Sequence, residues 1–316
     1  MAIETGTATD YHDAMDKLRI FLLAQNWTVL RWVSGSAMTD FAELIVRPVG
    51  NGSFRPIVAF RSSHDVPAGL YNWQLIMAQD FDTAEPFLSQ PNRSLRSYVP
   101  LSNNTLTYWF YVNDRRVICV FKVATSYSSL YAGLFLPYAL PSEYRRPLFV
   151  CGNSPSRVAI NDNNNVTSFI AEPGQGNAAF MDMSDNWINV INRISSSVTA
   201  EPNLVANTTS GFLWPKKTDR SSSASQISNT SAWAYHQNII LRPNLAGEMP
   251  LFQCQLFSAP ENNGNGAIMG AIDGVYDTPG FGRSPEQVVT FGGSDFRLFP
   301  NMGRTNLSNY MAIEEV

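Results

Sequence analysis

The stretch Tyr108-Trp-Phe-Tyr-Val-Asn-Asp-Arg-Arg-Val-Ile-Cys-Val-Phe-Lys-Val123 decides how this chain is read. Two runs of aromatic and β-branched residues flank Asn113-Asp114. Such side chains fit a pleated, half-buried surface, and Asn and Asp tolerate the left-handed backbone of a tight turn, so the stretch predicts a β-hairpin. Cys119, among Val117, Ile118 and Val120, serves there as a small apolar residue. The sequel over 125–152 supplies aromatics, prolines and a glycine but no group set up for chemistry, which points to architecture. Within it, 132–136 predicts another strand, ended by the turn region at Pro137 and Pro141.

Toward the amino terminus, Ala14, Met15, Leu18, Phe21 and Leu22 recur at helical spacing, with Asp10 as N-cap and Asp13 in the favourable first turn. From Trp27 onward the period shortens, predicting strands over 28–33, 42–47, 57–61 and 73–78. Beyond Gly152 the runs shorten between loop signals such as Ser154-Pro155-Ser156 and Glu172-Pro173-Gly174. Residues 187–194 read equally as strand or helix. Strands resume over 233–242, 251–257, 268–275, 288–291 and 296–299, with 310–313 as a last, edge strand. The fold class is therefore α+β, predominantly antiparallel β in sandwich-like sheets, with an amino-terminal helix and long loops. Residues 1–152 read as a helix-plus-sheet domain with the central hairpin. Residues 153–316 form a β-rich, loop-rich region that either stands alone or completes the same fold.

Only 15% of the 316 residues are charged while 44% are hydrophobic, against about 25% charged in an average soluble domain. The polar surface then falls to Asn, Ser, Thr and Gln, which cost less to desolvate than charges. That suits broad contact with other subunits, and equally an ordinary β-rich protein. Lys and Arg number 22 against 26 Asp and Glu, a formal charge of −4. With no basic field to hold a phosphate backbone, nucleic acid is not expected as a partner. The three cysteines, Cys119, Cys151 and Cys254, form neither a CxxC pair nor a disulfide framework. Residues 1–10 lack the pattern of a secretory signal, and no run approaches about 18 apolar residues, so neither secretion by a cleaved signal nor a membrane partner is expected.

His12, His64 and His236 show no i, i+4 zinc spacing. Asn161 to Asn165 offers oxygen ligands but lacks the spaced acids and closing Glu of a calcium loop, so it reads as an Asx-rich turn. Gly280-Phe281-Gly282 lacks the rest of a phosphate-binding loop. Asp80, Asp82 and Glu85, or Asp182 and Asp185, would supply carboxylates for glycoside hydrolysis only if a groove set two of them about 5–10 Å apart. Trp27, Trp32, Tyr71, Trp73 and Trp109 would stack on sugars only if they reached the surface, and their placement in strands favours core or subunit contact. No catalytic, metal or cofactor-binding residue is assigned.

A resemblance adds to this. The order of Asp10-Tyr11 with Gln25-Asn26-Trp27, Tyr71-Asn72-Trp73, Tyr108-Trp109-Phe110, Leu136-Pro137-Tyr138, Pro141-Ser142-Glu143-Tyr144, Pro147-Leu148-Phe149, Leu241-Arg242-Pro243-Asn244, Asp273-Gly274-Val275-Tyr276 and Asn306 to Ile313 resembles a family of virion structural proteins of tailed bacteriophages. The likeness spans most of the chain except about 153–214 and includes no catalytic motif. It implies a non-enzymatic virion protein of the tail, baseplate or neck, made and assembled in the host bacterial cytoplasm. The partners implied are further copies of itself in a cyclic assembly and neighbouring tail, sheath, baseplate or neck proteins. The alternative is a host-recognition or carbohydrate-binding tail module, and after it a polysaccharide hydrolase. Loops and termini reach partners without disturbing a core. The candidate interface residues are accordingly Leu134, Phe135, Leu136, Pro137, Tyr138 and Tyr144; Asn163 and Asn164; and Asn306, Tyr310 and Ile313. Deletion of 306–316 is expected to leave a soluble subunit that assembles poorly.

Overall fold

The computed structural model describes residues 1–35, 40–50, 54, 56–160, 177–190, 209–214, 250–260, 267–300 and 310–315. The chain begins with β1 (Ala2–Ala8), α1 (Tyr11–Ala24), β2 (Thr28–Val33), β3 (Glu43–Arg47), β4 (Ile57–Asp65), β5 (Leu70–Ala78) and β6 (Ser97–Leu101). It continues with β7 (Leu106–Val112), β8 (Arg116–Val123), β9 (Ser126–Leu134), β10 (Leu136–Pro137), β11 (Leu148–Cys151), β12 (Ala178–Met181) and β13 (Trp187–Asn189). The remainder supplies β14 (Thr209–Trp214), β15 (Phe252–Pro260), β16 (Ala267–Thr278), β17 (Val288–Phe291), β18 (Ser294–Pro300) and β19 (Tyr310–Glu314).

These strands make three open, antiparallel sheets, so the predicted α+β, β-dominant class is the observed one. The first sheet is the meander β2-β3-β4-β5-β6; the second runs β1-β7-β8-β9-β11-β12-β13; the third runs β14-β15-β16-β19-β18-β17, with β10 added beside β16. The second sheet takes strands from both sides of Gly152, because β12 and β13 extend it beyond β11.

Helix α1 forms where the apolar stripe predicts. Asp10, extended, accepts the N–H groups of His12 at 2.7 Å and Asp13 at 2.8 Å through its side chain. At the other end Asn26 turns left-handed at φ 64°. The N–H of Asn26 bonds Leu23 O and that of Trp27 bonds Leu22 O, the paired bonds that close a helix. The stripe Tyr11, Ala14, Met15, Leu18, Phe21, Leu22 is buried.

The quoted hairpin is β7-β8, and its sheet is the central layer. Successive residues go to opposite faces of a strand. Phe110, Val112, Val117, Cys119, Phe121, Leu130 and Ala132 pack with α1 and the first sheet through Leu18, Phe60 and Trp73. Tyr111, Ile118, Val120, Tyr131 and Phe149 pack with the third sheet through Ile272, Val275, Phe299 and Ile313. A sheet covered on both faces needs apolar residues at every position, which is why this hairpin reads as a continuous apolar run.

Some elements differ from the expectation. β1, Ala-Ile-Glu-Thr-Gly-Thr-Ala, carries no apolar alternation and exists because its whole length pairs with β7. β9 starts at Ser126, six residues before the predicted 132, its first part Ser-Tyr-Ser-Ser being held by the ladder to β8. Of 187–194, residues 187–189 are strand and 191–194 lie outside the described residues, as does the strand predicted over 233–242. β19 is not an edge: it lies between β16 and β18, with Met311 and Ile313 buried toward the central sheet.

Candidate functional site

At the hairpin tip, the Asn113 side-chain oxygen accepts the N–H groups of Arg115 and Arg116, both at 2.9 Å, an Asx turn. Its backbone oxygen accepts Trp27 Nε1 at 2.9 Å, and the oxygen of Asp114 accepts Gly50 N at 2.8 Å. Across the other face, Asp273 on β16 receives Asn113 Nδ2 at 2.9 Å and Arg116 Nε at 3.1 Å. Arg116 is 2% exposed. All three layers are therefore tied at one turn, beside the buried Arg116.

A second polar junction joins β8 and β9 to the segment before β17. Glu286 Oε1 accepts Lys122 Nζ and Tyr127 Oη, both at 2.5 Å. Arg297 donates to Glu315 at 2.7 Å and to the backbone oxygen of Glu286, while Tyr111 Oη donates to Glu315 at 3.2 Å. Glu286 has φ 66°, its N–H bonds Leu298 O, and Leu298 N–H bonds Gln287 O. This is a bulge position where glycine is usual. A side chain carried there at a backbone cost of about 1 kcal/mol is explained by its two hydrogen bonds. Burial disfavours the Glu286 carboxylate, but the hydrogen bonds from Lys122 and Tyr127 and the charges of Lys122 and Arg297 outweigh it and hold its pKa below the ordinary value. A lowered carboxyl pKa contributes stability that is present above the unfolded value, about pH 4.3, and is lost as pH falls through the folded one. Glu286→Gln should therefore lower stability by about 1 kcal/mol at pH 7. In urea titrations the difference from wild type should shrink as pH falls below about 4.3 and vanish only below the lowered folded-state pKa.

The structure brings together groups that sequence spacing keeps apart. His12 Nε2 lies 3.0 Å from Ser62 Oγ, and that oxygen accepts Ala42 N–H at 2.7 Å. Tyr11 Oη lies 3.2 Å from His64 Nδ1, and Phe41 stacks on His64 with ring centres 5.2 Å apart. Burial lowers the pKa of His12, favouring neutral imidazole. Ser62 is fully buried, so this cluster pins the start of α1 to the first sheet. Fifty residues separate His12 from Ser62, and only the layer packing joins them.

Four of the five carboxylates considered for hydrolysis serve turns or ion pairs. Asp80 binds Arg47 at 3.2 Å, Asp82 accepts Ala84 N–H, Asp182 accepts the N–H groups of Ser184 and Asn186, and Asp185 pairs with Arg146. Trp27, Trp73 and Trp109 are buried, and the Nε1 of Trp73 is spent on the backbone oxygen of Tyr11 at 2.8 Å. Among the described residues no group of three or more His, Cys, Asp or Glu is placed to hold a metal ion. None of their helices is long and apolar enough to cross a membrane.

The proposed interface residues divide by burial. Leu134, Phe135, Tyr144, Tyr310 and Ile313 are buried within the chain, a correction to their use as direct contact side chains. Phe135 meets Tyr144 edge-on at 5.4 Å and Phe180 at 6.3 Å, and Tyr144 Oη donates to Met181 O. Asn163, Asn164 and Asn306 lie outside the described residues. Removal of 306–316 would take an internal strand out of the third sheet, so the expectation of a soluble truncated subunit loses its basis.

Among the described residues of the proposed interface, the exposed one follows β10. Leu136 and Pro137 are half-buried and pair with Ala271 and Gly270. A Cβ at Gly270 would stand 2.2 Å from Leu136 O, so this approach requires glycine. Tyr138 N–H then bonds Met269 O, and a turn follows in which Leu140 O accepts the N–H groups of Glu143 and Tyr144. Tyr138 is 56% and Leu140 64% exposed, with exposed Ile268 next to Met269 on β16. Two exposed apolar side chains, Tyr138 and Leu140, are thus carried on a short segment flanked by buried Phe135 and Tyr144.

The architecture and this surface define a β-dominant α+β protein in three layers with exposed Tyr138 and Leu140 set between buried Phe135 and Tyr144. Comparison of the chain with protein-family models gives no match, and comparison with curated proteins gives none either.

Proposed function

We propose that the chain is a structural, non-enzymatic subunit of a tailed-phage virion, acting in the tail, baseplate or neck through contacts with its own copies and with neighbouring virion proteins. The observation that carries this reading is the exposed apolar pair Tyr138 and Leu140 between buried Phe135 and Tyr144. Two large apolar side chains are held out on a segment whose flanking aromatics are locked in the core, so docking them costs little conformational entropy. The ordered sequence resemblance supplies the virion context, and the low charge density lowers the desolvation cost of wide contacts. In a closed ring each such contact recurs, so a modest energy per subunit suffices.

The test is cryo-electron microscopy of intact virions, with this chain traced in the density, beside virions carrying Tyr138→Ser with Leu140→Ser. The double variant should fold, because exposed substitutions usually change stability by less than about 0.5 kcal/mol. Loss of an interface anchor worth about 2 kcal/mol should reduce incorporation roughly thirtyfold. Normal particles containing the doubly substituted chain would remove this surface from the assembly, and absence of the chain from particles would reject the virion reading.

A further inference from the structure

Among the described residues one edge of the third sheet is β17, Val-Val-Thr-Phe, joined to β18 by Gly292-Gly293 with φ 61° and 89°. Two positive φ values make the hairpin turn whose twist matches the strands, and it sets the hydrogen-bond phase. Phe291 opposite Ser294 and Val289 opposite Phe296 are then the hydrogen-bonded pairs. Val288 and Thr290, opposite Arg297 and Asp295, are the alternate pairs, so their backbone N–H and C=O groups point away from β18. The bond from Leu298 N–H to Gln287 O keeps the same phase up to the Glu286 bulge. Edges are normally guarded by charge, proline or cover. The edge strand β6 carries Pro100, and Tyr98 on it bridges to Ser154; Arg31 on β2 reaches the backbone oxygens of Thr83 and Glu85. β17 has no charged residue and no proline, and Val288 and Phe291 are 40% and 61% exposed.

We propose that β17 pairs antiparallel with β17 of a second copy of this chain, across a two-fold axis at Val289, which makes the third sheet continuous between two subunits. The inference rests on the assembly reading above and adds the partner and register of one contact. The phase selects the register. With Val289 on the axis, Val288 faces the partner's Thr290 and Thr290 faces the partner's Val288, so the outward groups of all four residues pair as donor with acceptor. Charge selects the occupant: at a two-fold axis a side chain meets its own image, and an uncharged strand is the kind that tolerates this. The nearby charges stand one strand back and are satisfied within the chain, Asp295 by Thr290 at 2.6 Å and Arg297 by Glu315 at 2.7 Å.

Sedimentation velocity of the full chain should show a concentration-dependent dimer. Thr290→Pro removes an outward N–H that no ladder bond among the described residues uses, and should weaken the dimer at least tenfold relative to Thr290→Ala, which loses the same bond to Asp295, while circular dichroism stays unchanged. Val289→Cys supplies a second test, because an antiparallel pair of this kind brings Cα atoms to about 4.5–5.5 Å, within disulfide reach. Cys119, Cys151 and Cys254 are all buried. Mild oxidation of the Val289→Cys chain should therefore give a covalent dimer, faster than Phe291→Cys does. A Val289→Cys chain that stays uncrosslinked, equal crosslinking from Phe291→Cys, or a dimer indifferent to Thr290→Pro would overturn the proposal. Particles that contain an uncrosslinked Val289→Cys chain would reject the edge contact and leave the assembly reading standing. A crosslinked dimer in solution from a chain absent from particles would do the reverse.

Discussion

Arg116→Ala should destabilise the protein by about 3 kcal/mol, the lower end of what breaking a buried ion pair costs. The guanidinium is buried at the hairpin tip, donates through Nε to Asp273 at 3.1 Å and places Nη2 3.2 Å from the Met1 sulfur. Removing it leaves Asp273, 15% exposed at its side chain, with Asn113 at 2.9 Å and Arg115 at 3.7 Å as remaining partners. Those two partners keep the loss from reaching the top of the range. Urea unfolding of the two chains gives the difference directly. A loss below about 1 kcal/mol would show that apolar packing alone holds the third sheet on the central one. Adding Asp273→Asn should then recover part of the loss, because it removes the uncompensated charge, and the coupling in that double-mutant cycle measures the pair.

Gly133→Ala should have an effect of similar or greater size for a steric reason. Gly133 sits on β9 opposite Arg116, with φ 154°. A Cβ there would lie 2.4 Å from Arg116 Cα and 2.5 Å from Arg115 O, backbone atoms at the start of β8 and in the turn before it. The central sheet is packed on both faces, so the strands cannot separate without opening two cores. Overpacking and backbone strain of about 1–3 kcal/mol each place the expected loss near 3–5 kcal/mol. Gly69→Ala is the matched control: its φ is 66° with nothing within 4 Å of the added carbon, so only the backbone term of about 1 kcal/mol remains. Equal losses at the two glycines, measured by urea unfolding, would refute close strand approach as the cause.

Both positions show what could be read in advance. The hairpin, its turn at Asn113-Asp114 and helix α1 were legible because their determinants are local: strand-forming side chains, an Asx turn and a capped apolar stripe. Several strands of the third sheet were legible for the same reason. β1 was not, since its residues are ordinary and β7 imposes the pairing. The interface segment was half legible. Its aromatics and prolines marked it, but nothing local separates Tyr138, which projects, from Phe135 and Tyr144, which turn inward onto Phe180 and Met181.

By itself the sequence determined that this is a β-dominant α+β chain with a capped amino-terminal helix and a central apolar hairpin, because propensity, turn chemistry and periodicity act over a few residues. Only the tertiary structure decided that the hairpin's sheet is the middle of three layers, that β19 is internal, and that His12 meets Ser62 and Arg116 meets Asp273. Those depend on which faces cover one another between residues 50 to 157 positions apart in the chain. No local preference encodes such contacts; they follow from burying both faces of one sheet at once.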